Sequence, residues 1–271
     1  MRRIAHLSDL HFGAHDPAIV EALIAALAAL APDVVVVSGD LTQRARRGEF
    51  AAARAFLDRI RQPRLIVPGN HDVPLYNLLS RLLRPLDRFD RYVLSERQPF
   101  FADDEIAVLG ISTARALAGK NGRVSLAQMA TIRRVLGGLP DHVFKVLVTH
   151  HPLAMPRLTG ALDVVGRARQ ALEAAAEAGV HLLLSGHYHR SATGETPAHV
   201  ARRRSVLVVH AGTAVSTRTR GGEANTYNLI RLDGACLTIT VMACLPEVGF
   251  AEERRARYVL GPSGWTAEPT G

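Results

Sequence analysis

The chain is poor in thiols, lysine and aromatic rings, and it has no long apolar run. Two cysteines in 271 residues, Cys236 and Cys244, cannot build a disulfide framework. They suit a reducing cytoplasm and read as free thiols buried in strand. The longest apolar run, "ALIAALAALA" at 22–31, falls far short of the roughly 20 residues that cross a bilayer. In "MRRIAHLSDLH" charge, a strand-like run and Asp9 follow one another with no apolar stretch of a cleavable leader between them. The expectation is a soluble, cytoplasmic protein. Only Lys120 and Lys145 are lysines, so 31 of the 33 basic residues are arginines. The net charge of +8 invites a nucleic-acid reading. Arginine together with abundant alanine reads instead as compositional bias. "ARRRS" (201–205) and "EERRAR" (252–257) lack the interleaved aromatics that would stack on bases, so nucleic acid is not an expected partner.

What is there is a regular alternation of short apolar runs with helical patterns. "IAHLS" (4–8), "VVVVS" (34–38), "RLIVP" (64–68), "IAVLGIS" (106–112), "FKVLVTH" (144–150) and "VHLLLSG" (180–186) read as strands. Helices are expected at 17–30 with Asp16 as cap, at roughly 48–61, at 125–138 with a capping box of Ser125 and Gln128, and at 168–179. After Tyr188 the helices stop. "RSVLVVHAGT", "TYNLIRLDG" and "CLTITVMACL" read as consecutive strands of an antiparallel sheet. The expectation is one α/β domain over 1–271, with two sheets face to face and helices outside. It divides into an αβ part to 190, a strand-rich part at 191–250 and a C-terminal tail at 251–271.

Polar residues collect where strands end: "SDLH", "SGD", "GNHD", "THHP" and "SGHYH". The carboxyl ends of strands line the functional crevice of open α/β sheets, so these five loops should converge. Burying Asp9, His11, Asp40, Asn70, His71, His150, His187 and His189 together without partners would cost a few kcal/mol per group. A metal centre removes that cost, and imidazole, carboxylate and amide donors without thiolate suit Mn, Fe, Zn or Co. Ligands two apart in "DLH" and "HYH" would project to one side of an extended segment. Gly39, Gly69 and Gly186 would let the backbone come close to what is bound.

The ordered series D-x-H, G-D, G-N-H-D, H-H-P and G-H-x-H resembles the signature of the calcineurin-like metallophosphoesterases. The layout of the whole chain is similar to their bacterial cyclic nucleotide phosphodiesterase branch. The resemblance implies a four-layer αββα sandwich and two divalent or mixed-valence metal ions. It implies that Asp9, His11 and His189 hold one ion, that Asn70, His150 and His187 hold the other, and that Asp40 bridges them. His71 would face the substrate as the catalytic residue, and His151 and Asp72 would lie near the substrate or behind the ligands. Two dications with two carboxylates leave a positive centre that favours an anionic phosphoester. Such a pair can lower the pKa of a bridging water for in-line attack on phosphorus. The function implied is a phosphodiesterase for small diesters such as 3′,5′-cyclic nucleotides, working through a metal-bridging hydroxide. A nucleotide-linked lipid pyrophosphatase of the UDP-diacylglucosamine hydrolase type, or a nuclease, is the alternative. The lipid A enzymes of this type carry Arg where His71 stands, and a non-catalytic scaffold would lack part of the ligand set.

One segment belongs to no minimal catalytic core. "PLYNLLSRLLRPLDRFDRYV" (74–93) puts Leu75, Leu78, Leu79, Leu82, Leu83, Leu86 and Phe89 on a helical stripe among Arg81, Arg84, Arg88 and Arg91. Pro85 should split it. Its readings are a lid, a membrane-surface contact, or a helix packed on the core or in a homodimer.

Overall fold

The computed structural model describes the chain except residues 76–77, 97, 117–120, 156–163, 197–204, 220–221, 262–263 and 269–271. The described elements run β1 (Arg2–Leu7), α1 (Pro17–Leu30), β2 (Val34–Val37), α2 (Arg47–Asp58), β3 (Arg64–Ile66), α3 (Leu78–Leu83), α4 (Asp87–Tyr92), β4 (Phe100–Ala102), β5 (Ile106–Gly110), α5 (Leu126–Gly137), β6 (Phe144–Val148), α6 (Ala168–Glu177), β7 (Leu182–Ser185), β8 (Ala192–Glu195), β9 (Leu207–His210), β10 (Thr226–Asp233), β11 (Cys236–Leu245), β12 (Gly249–Gly261) and β13 (Gly264–Glu268). None of the described helices is long and apolar enough to cross a membrane. One sheet has the order β13-β12-β11-β10-β1-β2-β3 and the other β4-β5-β6-β7-β9-β8. β1, β2 and β3 run parallel, as do β5, β6, β7 and β9.

The four valines of β2 show how the layers form. Successive side chains point to opposite faces. Val34 and Val36 therefore join the core between the sheets, against Val108, Val146, Val148 and Leu184. Val35 and Val37 face the other way, into α1 and α2 through Leu23, Leu27, Phe50 and Phe56. The second sheet repeats the pattern, with Leu109, Leu147 and Leu183 against Met129, Ile132 and Leu136 of α5 and Ala171 and Leu172 of α6. A strand buried on both faces needs apolar residues throughout, hence the unbroken "VVVV". The fold is the expected four-layer αββα sandwich. α1 starts at Pro17 with Asp16 Oδ1 accepting from Ala18 N. α5 begins with the expected box, in which Ser125 Oγ accepts from Gln128 N and Gln128 Oε1 from Ser125 N.

The strand-rich part differs from expectation in three ways. β9, expected in an antiparallel sheet, lies parallel to β7 in the second sheet, because β8 returns the chain at the edge and pairs antiparallel to β9. The described residues of 251–271, expected as a tail, instead complete β12 and form β13. β12 pairs along all of β11, with Val241 opposite Arg254 and Met242 opposite Glu252, so Glu253 bulges out. The charged run "EERRAR" is thus an exposed strand whose polar residues mask its period of two. The two thiols sit half-buried on β11 rather than in the interior.

In the segment at 74–93 the helix breaks at Pro85 into α3 and α4. Leu86 and Phe89 are buried, whereas Leu75, Leu79, Leu82 and Leu83 are exposed, so the stripe is not simply packed on the core.

Candidate metal centre

The five polar loops meet at the carboxyl ends of the parallel strands. The loop after β1 is zipped to the loop after β2 by Asp9 N donating to Gly39 O (3.1 Å) and His11 N to Asp40 O (2.9 Å). The loop after β7 is tied to the first sheet by His187 N donating to Asp9 Oδ2 (3.0 Å). Asp72 fastens the loop after β3 to that after β2, its carboxylate accepting from Gly69 N, Leu41 N, Thr42 N and Thr42 Oγ1. Burial, then the neighbouring Asp40 carboxylate, pushes the Asp72 carboxyl up to about 6.

Gly69 and Gly186 show how tightly the loops approach. A Cβ on Gly69 would lie 2.1 Å from Asp40 Oδ1, and one on Gly186 would lie 1.8 Å from Ser8 Oγ. The ligand pairs also reach the site differently than an extended segment would allow. Asp9, His11, Asp40, His187 and His189 all have positive φ, between 48° and 78°. Asp and His tolerate this left-handed region better than most residues, at a cost of order 1–3 kcal/mol each. Concentrating it here marks a backbone shaped by what the side chains must hold.

Two groups of donors result. Asp9, His11, Asp40 and His189 offer ligand atoms all within 4.8 Å of one another. In the second group Asn70 Oδ1 lies 3.1 Å from His150 Nε2 and 3.0 Å from His187 Nδ1, which are 3.3 Å apart. Asp40 Oδ2 reaches both groups, at 3.3 Å from His150 Nε2 and 3.8 Å from His11 Nε2. Atoms bonded at about 2.0–2.2 Å to one ion stand roughly 3.0–3.5 Å apart, so these separations fit ions. His151 brings a third imidazole within 4.8 Å of His150 and His187, its Nδ1 held 2.7 Å from Thr113 Oγ1.

The chemistry of the donors fits as well. His150 Nδ1 donates to Ser38 O (2.7 Å) and His189 Nδ1 to Arg218 O (3.0 Å), which turns each Nε2 toward the centre. Asp9 Oδ1 and His11 Nδ1 are buried with no hydrogen-bond partner among the described residues. Burial opposes charge on Asp9 and Asp40. Even so, the imidazoles of His11 and His189 beside the first, at 3.7 and 3.3 Å, and His150 beside the second, at 3.3 Å, hold both carboxyls well below their usual range. The same Asp40 carboxylate lifts His150 to about 9 against the effect of burial. Burial, reinforced by His150, drops His187 to about 4. An anionic, acceptor-rich pocket of this kind suits cations.

Asp9, His11, Asp40, His150, His151, His189 and Asp72 are buried, whereas Asn70, His71 and His187 keep partial exposure. The opening therefore lies on the side of the GNHD loop. His71 N donates to Asp40 Oδ1 (2.8 Å) and its Nδ1 to Gln43 O (2.8 Å). The ring stands edge-on to His11 at 4.8 Å. Residues that the sequence did not single out complete the site through main-chain carbonyls: Ser38, Gln43 and Arg218. Arg218 Nη1 also reaches Gln43 Oε1 (3.2 Å).

The fold has known counterparts. The chain superposes on a dimetal phosphatase from Danio rerio with a TM-score of 0.66 at 13% identity, covering 93% of this chain and 98% of that one. It superposes on the purple acid phosphatase PPD1 of yellow lupin with a TM-score of 0.69 at 10% identity, covering 94% and 53%. In sequence it is 30% identical over 164 residues to the glycerophosphodiester phosphodiesterase GpdQ of Enterobacter lignolyticus, covering 56% of this chain and 58% of the relative. It is 24% identical over 168 residues to a probable GpdQ of Arcobacter nitrofigilis, covering 60% and 58%. The chain thus spans little more than half the length of the curated relatives it matches. The profile described as calcineurin-like phosphoesterase matches residues 2–191, the stretch that carries all five loops. The chain belongs to the calcineurin-like phosphoesterase family.

Proposed function

We propose that the protein is a dinuclear metal-dependent phosphodiesterase acting on small diesters. The observation that carries this reading is the convergence of two donor sets on one carboxylate. Asp9, His11 and His189 would hold one ion, Asn70, His150 and His187 the other, and Asp40 would reach both. Bound there, divalent ions of the Mn, Fe, Zn or Co type would supply Lewis acidity at phosphoryl oxygens and an activated water. The chain's own residues do the rest. Asp72 positions the GNHD loop, and Gln43 O fixes the His71 ring so that Nε2 is the atom left for the substrate. In this reading His71 is the catalytic residue that protonates the departing alkoxide or steadies a phosphoryl oxygen, and His151 lines the substrate side. Arg218, tethered at Gln43, adds positive charge at the rim for an anionic substrate.

Two diester classes are candidates. Resemblance of the whole layout supports 3′,5′-cyclic nucleotides, and the GpdQ relatives support glycerophosphodiesters. The scarcity of thiols supports work in a reducing cytoplasm. The test is a panel on manganese-loaded enzyme: cyclic AMP, glycerophosphocholine, bis-nitrophenyl phosphate, nitrophenyl phosphate, a UDP-sugar and single-stranded DNA. A diester should give the highest kcat/KM. Preference for the monoester, the pyrophosphate bond or DNA would reject the reading.

A further inference from the structure

Ten large hydrophobic side chains are exposed among the described residues, and four of them follow directly on the GNHD loop: Leu75 (54%), Leu79 (69%), Leu82 (56%) and Leu83 (71%). Leu79, Leu82 and Leu83 have the i, i+3, i+4 spacing that places them on one face of α3. A single exposed leucine needs no explanation, but a contiguous set marks an interaction surface. The segment is anchored from beneath, which fixes that face outward. Arg81 Nε donates to Ala116 O, Arg88 Nη1 to Ala45 O, and Arg54 Nη1 to Tyr92 O, while Leu86 and Phe89 plug the core.

The surroundings are basic. Arg84 and Arg91 are exposed on the segment itself. Arg88 joins it to Ala45, flanked by the exposed Arg44, Arg46 and Arg47. The acidic groups among them are Glu49, Asp87 and Asp90. Glu49 accepts from the backbone of Arg44 and Arg46, and Asp87 pairs with Arg91 at 3.7 Å. Docking a second copy of the chain on this face would set arginine against arginine. A nucleic acid would leave the leucines unused, with no exposed aromatic ring among the described residues of the segment for its bases.

We propose that this face docks on an anionic phospholipid surface, with Leu75, Leu79, Leu82 and Leu83 entering the acyl boundary and the arginines meeting lipid phosphates. Docking would hold the open side of the metal centre close to the bilayer, since His71 lies only four residues before Leu75. The inference does not depend on which diester is the substrate.

The test is co-sedimentation of metal-loaded protein with vesicles of phosphatidylcholine alone or mixed with phosphatidylglycerol. The wild type should pellet only with the anionic vesicles, and less so in high salt. Leu79→Ser with Leu83→Ser should weaken binding by about tenfold or more, while turnover of bis-nitrophenyl phosphate in solution stays unchanged. Arg47→Glu with Arg84→Glu leaves the apolar face intact and should also weaken binding to anionic vesicles. The proposal is overturned if the wild type stays in the supernatant, or if both double variants bind as the wild type does. A dimer in light scattering that the leucine variant dissolves would assign the face to a second copy instead.

Discussion

At the amino end of β6, Lys145 is 3% exposed and donates from Nζ to Leu139 O (3.1 Å) and Ala178 O (3.4 Å), just beyond α5 and α6. At the carboxyl end, just past the same strand, His150 is fully buried against Asp40, Asn70 and His187. Both ends bury charge, yet only one is self-sufficient. The ammonium of Lys145 meets carbonyls at the negative ends of two helices, as main chain can provide in any fold. Around His150 the backbone is strained, and Asp9 Oδ1 is buried with no hydrogen-bond partner among the described residues. Buried charge by itself therefore says little about function. Unpaired acceptors on a strained backbone say much more.

Variants at the two ends should separate these readings. Asp40→Ala should have the largest effect, with loss of both metals by elemental analysis and of essentially all turnover. Loss of only one ion would deny Asp40 its shared role. His71→Ala should retain both metals yet lower kcat by roughly 10²- to 10⁴-fold. The loss should be much smaller for a nitrophenyl diester, whose leaving group needs little protonation. Asp72→Asn should weaken metal binding by about 10- to 100-fold, the usual scale for a residue that orients ligands. It is read by titration against a competing chelator. Lys145→Met, at the closed end, should leave kcat/KM unchanged and cost about 1–3 kcal/mol of stability by orphaning two carbonyls. A change in turnover would break the comparison.

The smallest effect concerns His210, buried with Nε2 3.1 Å from Ala154 O and held down to about 4 by burial. Between that value and the ordinary 6.5 the unfolded chain takes up a proton that the folded chain refuses. The stability from this neutral imidazole is therefore complete above 6.5 and drains away as pH falls toward 4. Going from pH 7.5 to 5.5 should cost about 1 kcal/mol through His210 in urea unfolding. His210→Gln should remove that share of the slope and leave the share of His6, which burial lowers to about 3.

The half that carries the candidate metal centre was legible because "SDLH", "SGD", "GNHD", "THHP" and "SGHYH" interrupt apolar runs with residues that cannot be buried cheaply. Two kinds of feature were hidden. Ser38, Gln43 and Arg218 act on the centre through carbonyl oxygens, which every residue has, so side-chain identity carries no signal. The left-handed conformation of Asp9, His11, Asp40, His187 and His189 was invisible because these positions hold Asp and His rather than glycine. In the fold, β12 escaped notice since "EERRAR" lies on an exposed strand, and β4 and β8 are too short, at 3 and 4 residues, to show a period.

Lys145 has one more consequence, and it is practical. A chain with two lysines offers few amines to an acylating reagent, and this one is only 3% exposed beneath two helix ends. Its acylation in native buffer would require those layers to part, so a mass spectrum of the peptide carrying Lys145, taken over hours, would serve as a chemical clock for opening of the second sheet.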